Sequence, residues 1–393
     1  MLLIKIIFWI SLAIIFYSYV GYGLIIYIIL KIKSAFGSKK DHVFDNEYMP
    51  EVTLVTALYN EETVVEAKIL DTFKIDYPEE KLKIIFITDG SSDKTPEIIS
   101  GYPRVKLLHQ NTREGKVAAI NRAMQFVKTP IVIFCDANTY LNRDCVKNIV
   151  RHYIDPRVAA VSGEKKIANI NTHEFAASAG EGIYWKYESF LKTLDSKFYS
   201  VVGAAGELFS VRTSLFTPVD KKILLDDFYI SMKLCQQGYR VVYEPMAFST
   251  EAPSFSIKDE QIRKVRNGAG GIQAVLLLLP LLNIFKYGKL SFQYISHRVL
   301  RWIVCPPLLP LLLILNILIY FSTDEKLYLV ILIMQVLFYC AAMIGWLFTL
   351  KNIKVKILYI PYYFVFINVA MYQGFFRHIK KTQSVLWDKA KRV

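Results

Sequence analysis

Histidine and cysteine are scarce. Among 393 residues there are six His and five Cys. Cys135, Cys145, Cys235, Cys305 and Cys340 include no CxxC pair, and the histidines fall at no metal-ligand spacing, which argues against a zinc site and reads the cysteines as reduced packing residues. No GxGxxG follows the first strand pattern, which disfavours a dinucleotide-dependent dehydrogenase. No period of repeat-protein length is present. Acidic residues are outnumbered, 34 Asp and Glu against 48 Lys and Arg, a net charge of +14. In a soluble chain that excess suggests nucleic acid. In a chain that is 53% hydrophobic with a mean hydropathy of +0.30, it reads instead as a basic surface against anionic lipid, and no nucleic-acid partner is expected.

What is present divides into four regions. Residues 1–32 read as an N-terminal transmembrane helix: Ile6 to Leu30 is almost wholly apolar, longer than the ~20 residues a crossing needs, and no small-residue cleavage site follows it. Lys31, Lys33, Lys39 and Lys40 place its end in the cytoplasm, and Asp41–Tyr48 reads as a polar linker. Residues 50–255 alternate strand and helix patterns and form the soluble unit. Residues 256–290 start basic (Lys258, Arg263, Lys264, Arg266) and end apolar, as an interfacial helix does. Residues 296–393 form a C-terminal membrane region with spans at about Val299–Phe321 and Leu327–Leu350. Its last apolar piece, Ile357–Phe376, contains Pro361, Asn368 and Gln373; it reads as re-entrant or interfacial, with the C-terminus inside. The expected location is an integral protein of the cell membrane with the soluble unit in the cytoplasm.

Within the soluble unit the repeated β-α pattern predicts an α/β fold around a mostly parallel sheet. Its central strand is Ile131–Asp136, five apolar residues ending in a carboxylate. Expected strands also cover Val52–Leu58, Leu82–Thr88, Arg104–Leu108, Tyr199–Val202, Leu208–Val211 and Arg240–Tyr243. Helices are expected over Glu61–Phe73, Gly115–Val127, Thr172–Leu194 and Asp226–Gln237. Four polar clusters fall on one edge of that sheet, where ligands of open α/β sheets bind. They are Ala57-Leu58-Tyr59-Asn60-Glu61, Asp89-Gly90-Ser91-Ser92-Asp93, Gly115-Lys116 and Asp136-Ala137-Asn138. Each alone is explained by turn and cap chemistry, and Asp136 either caps a turn or ligates a cation. Together they offer glycines for close approach, a lysine and helix N-termini for phosphate, and carboxylates for Mg²⁺ or Mn²⁺. A nucleoside diphosphate with its metal fits that set.

The order of these clusters, completed by Leu225-Asp226-Asp227, resembles the inverting family 2 glycosyltransferases. With its membrane flanks the chain is most similar to the branch containing cellulose, hyaluronan and poly-N-acetylglucosamine synthases. The resemblance covers about Pro50 to Ala274. It implies a GT-A fold, a nucleotide-sugar donor (commonly UDP-linked) and transfer to a glycan or lipid-linked acceptor; single addition onto a polyprenyl phosphate or glycolipid is the alternative. It implies that Ala57, Tyr59, Glu61 and Asp89 surround the nucleotide, that Lys116 lies beside it, that Asp136 and Asn138 hold the metal, and that Asp227, with Asp226, is the general base. It also implies a role for Arg263 or Arg266 at the phosphates. Three departures stand out. Asn138 replaces the second aspartate of Asp-x-Asp. The Gln-x-x-Arg-Trp of the processive branch reads Gln261-Ile262-Arg263-Lys264-Val265, without its tryptophan. Trp387–Arg392 only loosely matches the C-terminal gating segment. These departures leave open a non-catalytic nucleotide-sugar-binding subunit, and the small number of crossings leaves room for a homodimer or an export partner. Glu164 and Glu207 are expected in surface turns, and the aromatic helix with Tyr184 and Trp185 in packing.

Overall fold

The computed structural model describes residues 1–37, 47–168, 176–252, 256–351, 353 and 355–386. The Asp41–Tyr48 linker in most of its length, the start of the Thr172 helix, Lys39, Lys40, Lys354 and Trp387–Arg392 lie outside them.

The chain begins with α1 (Leu2–Phe16) and α2 (Tyr22–Phe36), joined through a π-wound turn at Tyr17–Gly21. The soluble unit then runs β1 (Val52–Leu58), α3 (Val65–Thr72), β2 (Leu82–Thr88), α4 (Thr95–Ser100), β3 (Val105–Leu108), α5 (Lys116–Met124), β4 (Ile131–Asp136), β5 (Thr139–Leu141), α6 (Cys145–Val150) and β6 (Val158–Ile167). It continues with α7 (Ala176–Phe198), β7 (Leu208–Arg212), α8 (Asp226–Gln236) and β8 (Arg240–Glu251). After it come α9 (Ile257–Leu277), α10 (Ile284–Tyr287), α11 (Lys289–Tyr294), a π-wound stretch at Ile295–Val304, α12 (Cys305–Thr323), α13 (Lys326–Leu350) and α14 (Lys356–Ile379).

The eight strands form one sheet in the order β3-β2-β1-β4-β7-β6-β8-β5. β3, β2, β1 and β4 are mutually parallel; β7 runs against β4 and β6, and β5 against β8. The mixed half follows β7, which returns across the sheet after the long α7. The strands are apolar on both faces because both are covered. Val55, Ile85, Ile87, Val132 and Phe134 pack with α5 and α8 on one side. Leu54, Ile84, Phe86, Ile133 and Cys135 pack with α3 and α6 on the other. The two sets alternate along each strand, the period of a pleated sheet. Register puts Ala57 opposite Asp136 and Leu58 opposite Thr88, so the three central strands end level.

The local differences from sequence expectation have identifiable causes. The helix expected from Glu61 starts at Val65, because Glu61 O is first taken by a turn from Val64 N and Val65 N at 3.0 and 2.8 Å. Tyr199–Val202 is not a strand; its tie to β8 is Val201 N to Val241 O at 2.9 Å. β8 runs to Glu251, past Pro245, because its ladder with β6 shifts register between Gly163 and Glu164 and so passes the proline.

Three helices are long and apolar enough to cross a membrane: Leu2–Phe36, Lys289–Thr323 and Lys326–Leu350. The second extends well before Val299. α14 is one helix through Pro361, packed against α9 and α13. The close α9–α14 crossing rests on glycine: a methyl group on Gly374 would lie 2.5 Å from Ala269 N.

Candidate active site

The level strand ends open into a cavity of about 1000 Å³. One wall is made by the turns after β1 and β2. Asn60, at φ 51°, turns the chain there, and its Oδ1 accepts from Ser92 N at 2.8 Å. Asp93 Oδ2 accepts from Glu62 N at 3.0 Å and Thr95 Oγ1 from Glu61 N at 2.8 Å. Asn60, Ser92 and Asp93 thus tie two loops together, the structural role that turn chemistry suggests for them.

Asp89 is buried and organises the next loop. Its carboxylate accepts from Gly115 N at 2.6 Å, Glu114 N at 3.1 Å and Gln110 Nε2 at 3.3 Å. The approach requires Gly90, at φ +71°, where a methyl group would stand 2.7 Å from Arg113 N. Arg113 in turn stacks 3.7 Å from the centre of the Tyr59 ring.

Lys116, the first residue of α5, donates to Asp136 Oδ1 at 2.6 Å. Burial works against its charge, but Asp136, Asp226 and Asp227 hold it protonated, well above the usual lysine range. Asp226 and Asp227 occupy the first turn of α8, where the helix dipole favours acids. The turn also aims Asp227 at the cavity: a methyl group on Gly206 would lie 3.1 Å from its Oδ2. Burial first, then Asp226 and Glu207, push the Asp227 carboxyl up to about 7, while Lys116 opposes them. A carboxyl poised near neutral pH is suited to taking a proton.

All eleven residues singled out from sequence (Ala57, Tyr59, Glu61, Asp89, Lys116, Asp136, Asn138, Asp226, Asp227, Arg263 and Arg266) line this one cavity. Their engagements differ. Arg263 donates to Glu260 Oε2 at 2.5 Å, whereas Arg266 feels Asp226, Asp227 and Asp136. Asn138 Nδ2 donates to Glu251 Oε1 at 3.3 Å, which turns the amide so that its Oδ1 is the atom suited to a cation. Among the described residues no three His, Cys, Asp or Glu gather as a metal cage. Two protein oxygens, Asp136 and Asn138, remain a fitting set for Mg²⁺ or Mn²⁺, which draw other ligands from phosphates and water.

Two expectations are corrected. Glu207 is no surface turn: it lines the cavity and pairs with the fully buried Lys165 at 2.5 Å, and Lys165 also meets Glu251 at 2.5 Å. Lys165 overcomes burial and holds Glu207 well below the usual carboxylate range. Glu164 lies in β6, not a turn, and accepts from Ser189 Oγ at 2.6 Å. Tyr184 and Trp185 are also on the cavity wall, as are Tyr19, Glu188, Lys192, Arg298 and Arg301, none of which the motifs marked. Arg301 alone carried a signal, a cation inside an apolar run.

Residues 53–217 match the family described as Glycosyl transferase family 2. The chain carries a family 2 glycosyltransferase domain. Curated relatives of this domain include the poly-β-1,6-N-acetyl-D-glucosamine synthases of Staphylococcus aureus (strain COL), 27% identical over 244 residues, and Staphylococcus epidermidis, 25% identical over 246. Those alignments cover 57% and 59% of this chain. The chain spans about half the length of these relatives, 55% and 57%. A mannosyltransferase from Pyrobaculum calidifontis, solved with GDP-Man and Mn²⁺, superposes with a TM-score of 0.70 over 96% of this chain and all of that one, at 20% identity. The fold of the family 2 domain is therefore GT-A, flanked by helices long and apolar enough to cross a membrane, and the domain is similar to that of the poly-N-acetylglucosamine synthases.

Proposed function

We propose that this protein is an inverting glycosyltransferase that moves a sugar from a nucleotide-sugar, UDP-linked by resemblance, to a glycan or lipid-linked acceptor at the cytoplasmic membrane face. The observation that carries the reading is one cavity holding Asp136 and Asp227 with the Lys116 ammonium between their charges.

In this reading the turns around Tyr59, Glu61 and Asp89 receive the nucleoside, and Lys116 and Arg266 face the diphosphate. Asp136 and Asn138 would hold a divalent cation, which supplies charge neutralisation to the leaving phosphates. An acceptor hydroxyl gives its proton to Asp227 as its oxygen attacks the anomeric carbon. The bond from that carbon to the diphosphate oxygen breaks on the opposite side, and the diphosphate leaves with the electron pair. Direct displacement inverts the anomeric centre. A base placed in this way contributes about 10²–10⁴-fold, and the cations act on charge that grows in the transition state.

The regional reading belongs to the proposal as well: a transmembrane helix over 1–32, a catalytic domain over 50–255, interfacial helices over 256–290 and a membrane region over 296–393. The test is a transfer assay on the purified full-length chain in lipid discs with UDP-N-acetylglucosamine and GDP-mannose, with and without Mg²⁺ or Mn²⁺. Transfer or donor hydrolysis that Asp227→Asn removes supports the assignment. Turnover by the variant equal to that of the parent chain removes Asp227 as base, and a chain that neither transfers nor hydrolyses either donor counts against the catalytic reading for both.

A further inference from the structure

Where the first two apolar spans line the cavity, three buried cations lie close together and one of them has no bonded carboxylate among the described residues. Glu188 of α7 is buried and accepts from two guanidiniums, Arg301 Nη1 on Oε1 at 2.7 Å and Arg298 Nη1 on Oε2 at 3.0 Å. Both arginines come from the π-wound stretch at the head of the second apolar span. One carboxylate therefore faces two cations.

One helical turn beyond Glu188, Lys192 is 4% exposed. Among the described residues its ammonium makes no ion pair and no hydrogen bond. Its neighbours are the rings of Trp185 and Tyr243, with centres 5.7 and 5.8 Å away. Glu164, Glu188 and Glu207 are near enough to favour its charge, but none bonds to it: Glu164 accepts from Ser189, Glu207 pairs with Lys165, and Glu188 with the two arginines. Burial and the Arg298 charge pull the Lys192 pKa down. A buried cation in that state is costly unless something else pairs with it. All three cations line the cavity.

We propose that Lys192, Arg298 and Arg301 form a subsite for the phosphate group of the acceptor, a phosphate-bearing lipid whose phosphate is held here while a hydroxyl of its head group reaches Asp227. The proposal rests on the glycosyltransferase reading and specifies its acceptor. Guanidinium and ammonium donors match phosphate oxygens, and a phosphate supplies the negative charge that the hydroxyls of a neutral glycan cannot. The subsite lies on the Glu207 side of Asp227, since both Lys192 and Asp227 feel that carboxylate. Tyr19 of the first span lies against Arg301 and Trp302 of the second against Arg298, and Ile367 and Met371 of α14 line the same cavity. A hydrocarbon chain attached to the phosphate would lie among those helices.

The test is equilibrium binding of tritiated farnesyl phosphate to the full-length chain in discs of zwitterionic lipid. Farnesol and inorganic phosphate serve as competitors, and a separate nucleotide titration checks that each variant is folded. Saturable binding is expected, displaced by unlabelled farnesyl phosphate, weakly by inorganic phosphate and not by farnesol. Lys192→Met and Lys192→Gln should each weaken it roughly tenfold, the value of one charge-assisted contact, and Lys192→Arg should restore it. Equal displacement by inorganic phosphate would overturn the lipid source and assign the site to a soluble phosphate. Absence of saturable binding, or unchanged affinity in both charge-removing variants, would overturn the subsite. Because binding needs no turnover, a chain that binds farnesyl phosphate but transfers no sugar would refute the catalytic reading and leave a phosphate-lipid binding site that is no acceptor site.

Discussion

The two ends of the cavity are built in opposite ways. At the donor end, polar side chains sit on strand ends and helix starts of a rigid sheet, and neighbouring backbone N–H groups satisfy much of their bonding, as at Asp89. At the membrane end, Glu188, Lys192, Arg298 and Arg301 come from helices about a hundred residues apart in the chain and meet as buried charges. The donor end is preorganised by local loops. The membrane end depends on tertiary packing, and a buried pair there is far more costly to break than to leave intact.

The largest expected effect bears on the boundary between the ends. Asp227→Asn should lower the rate of sugar transfer about 10²–10⁴-fold with little change in donor KM, read by initial rates. A raised donor KM at unchanged kcat would move Asp227 to the donor end. Next, Glu188→Ala leaves two buried guanidiniums without their carboxylate. It should destabilise the protein by about 3–5 kcal/mol, seen as a lower Tm in detergent, whereas a Tm equal to that of the parent chain would make the membrane end as tolerant as the donor end. Asp89→Ala should cost about 1–3 kcal/mol, because the Glu114 and Gly115 N–H groups lose their acceptor. Its signature is a raised donor KM with kcat largely kept.

The smallest effect concerns pH. With the Asp227 carboxyl at about 7, its base form predominates above that pH, so kcat/KM should rise with pH and level off above it. Asp226→Asn removes the like charge but not the burial, which is the larger cause, so the midpoint should move down only in part. An unmoved midpoint would give the titration to another group.

Much of the donor end was legible in the sequence. Strands buried on both faces are written as unbroken apolar runs, and the carboxylates and glycines that follow them fall at the ligand-binding edge. Hence β1, β2, β4 and the turns after them were placed within a residue or two, and Asp89, Lys116, Asp136 and Asp227 came out in one cavity. The register shift that carries β8 past Pro245 was not legible, because ladder slippage leaves no periodic mark. Glu207 and Glu164 looked like turn residues because the partners that define their surroundings, Lys165 and Ser189, lie in other elements. Arg298 and Arg301 were not singled out because their partner, Glu188, lies in another element.

The amino-acid sequence by itself determined the apolar helices, the two-sided sheet and the carboxylates at its edge, since these depend on periodicity and on residues near one another in the chain. Only the tertiary structure decided which charges meet. Lys116 reaches Asp136 across twenty residues of chain, and Glu188 faces Arg298 and Arg301 across more than a hundred. A pairing of that kind is a property of helices packed against one another, and no local preference of either residue encodes it.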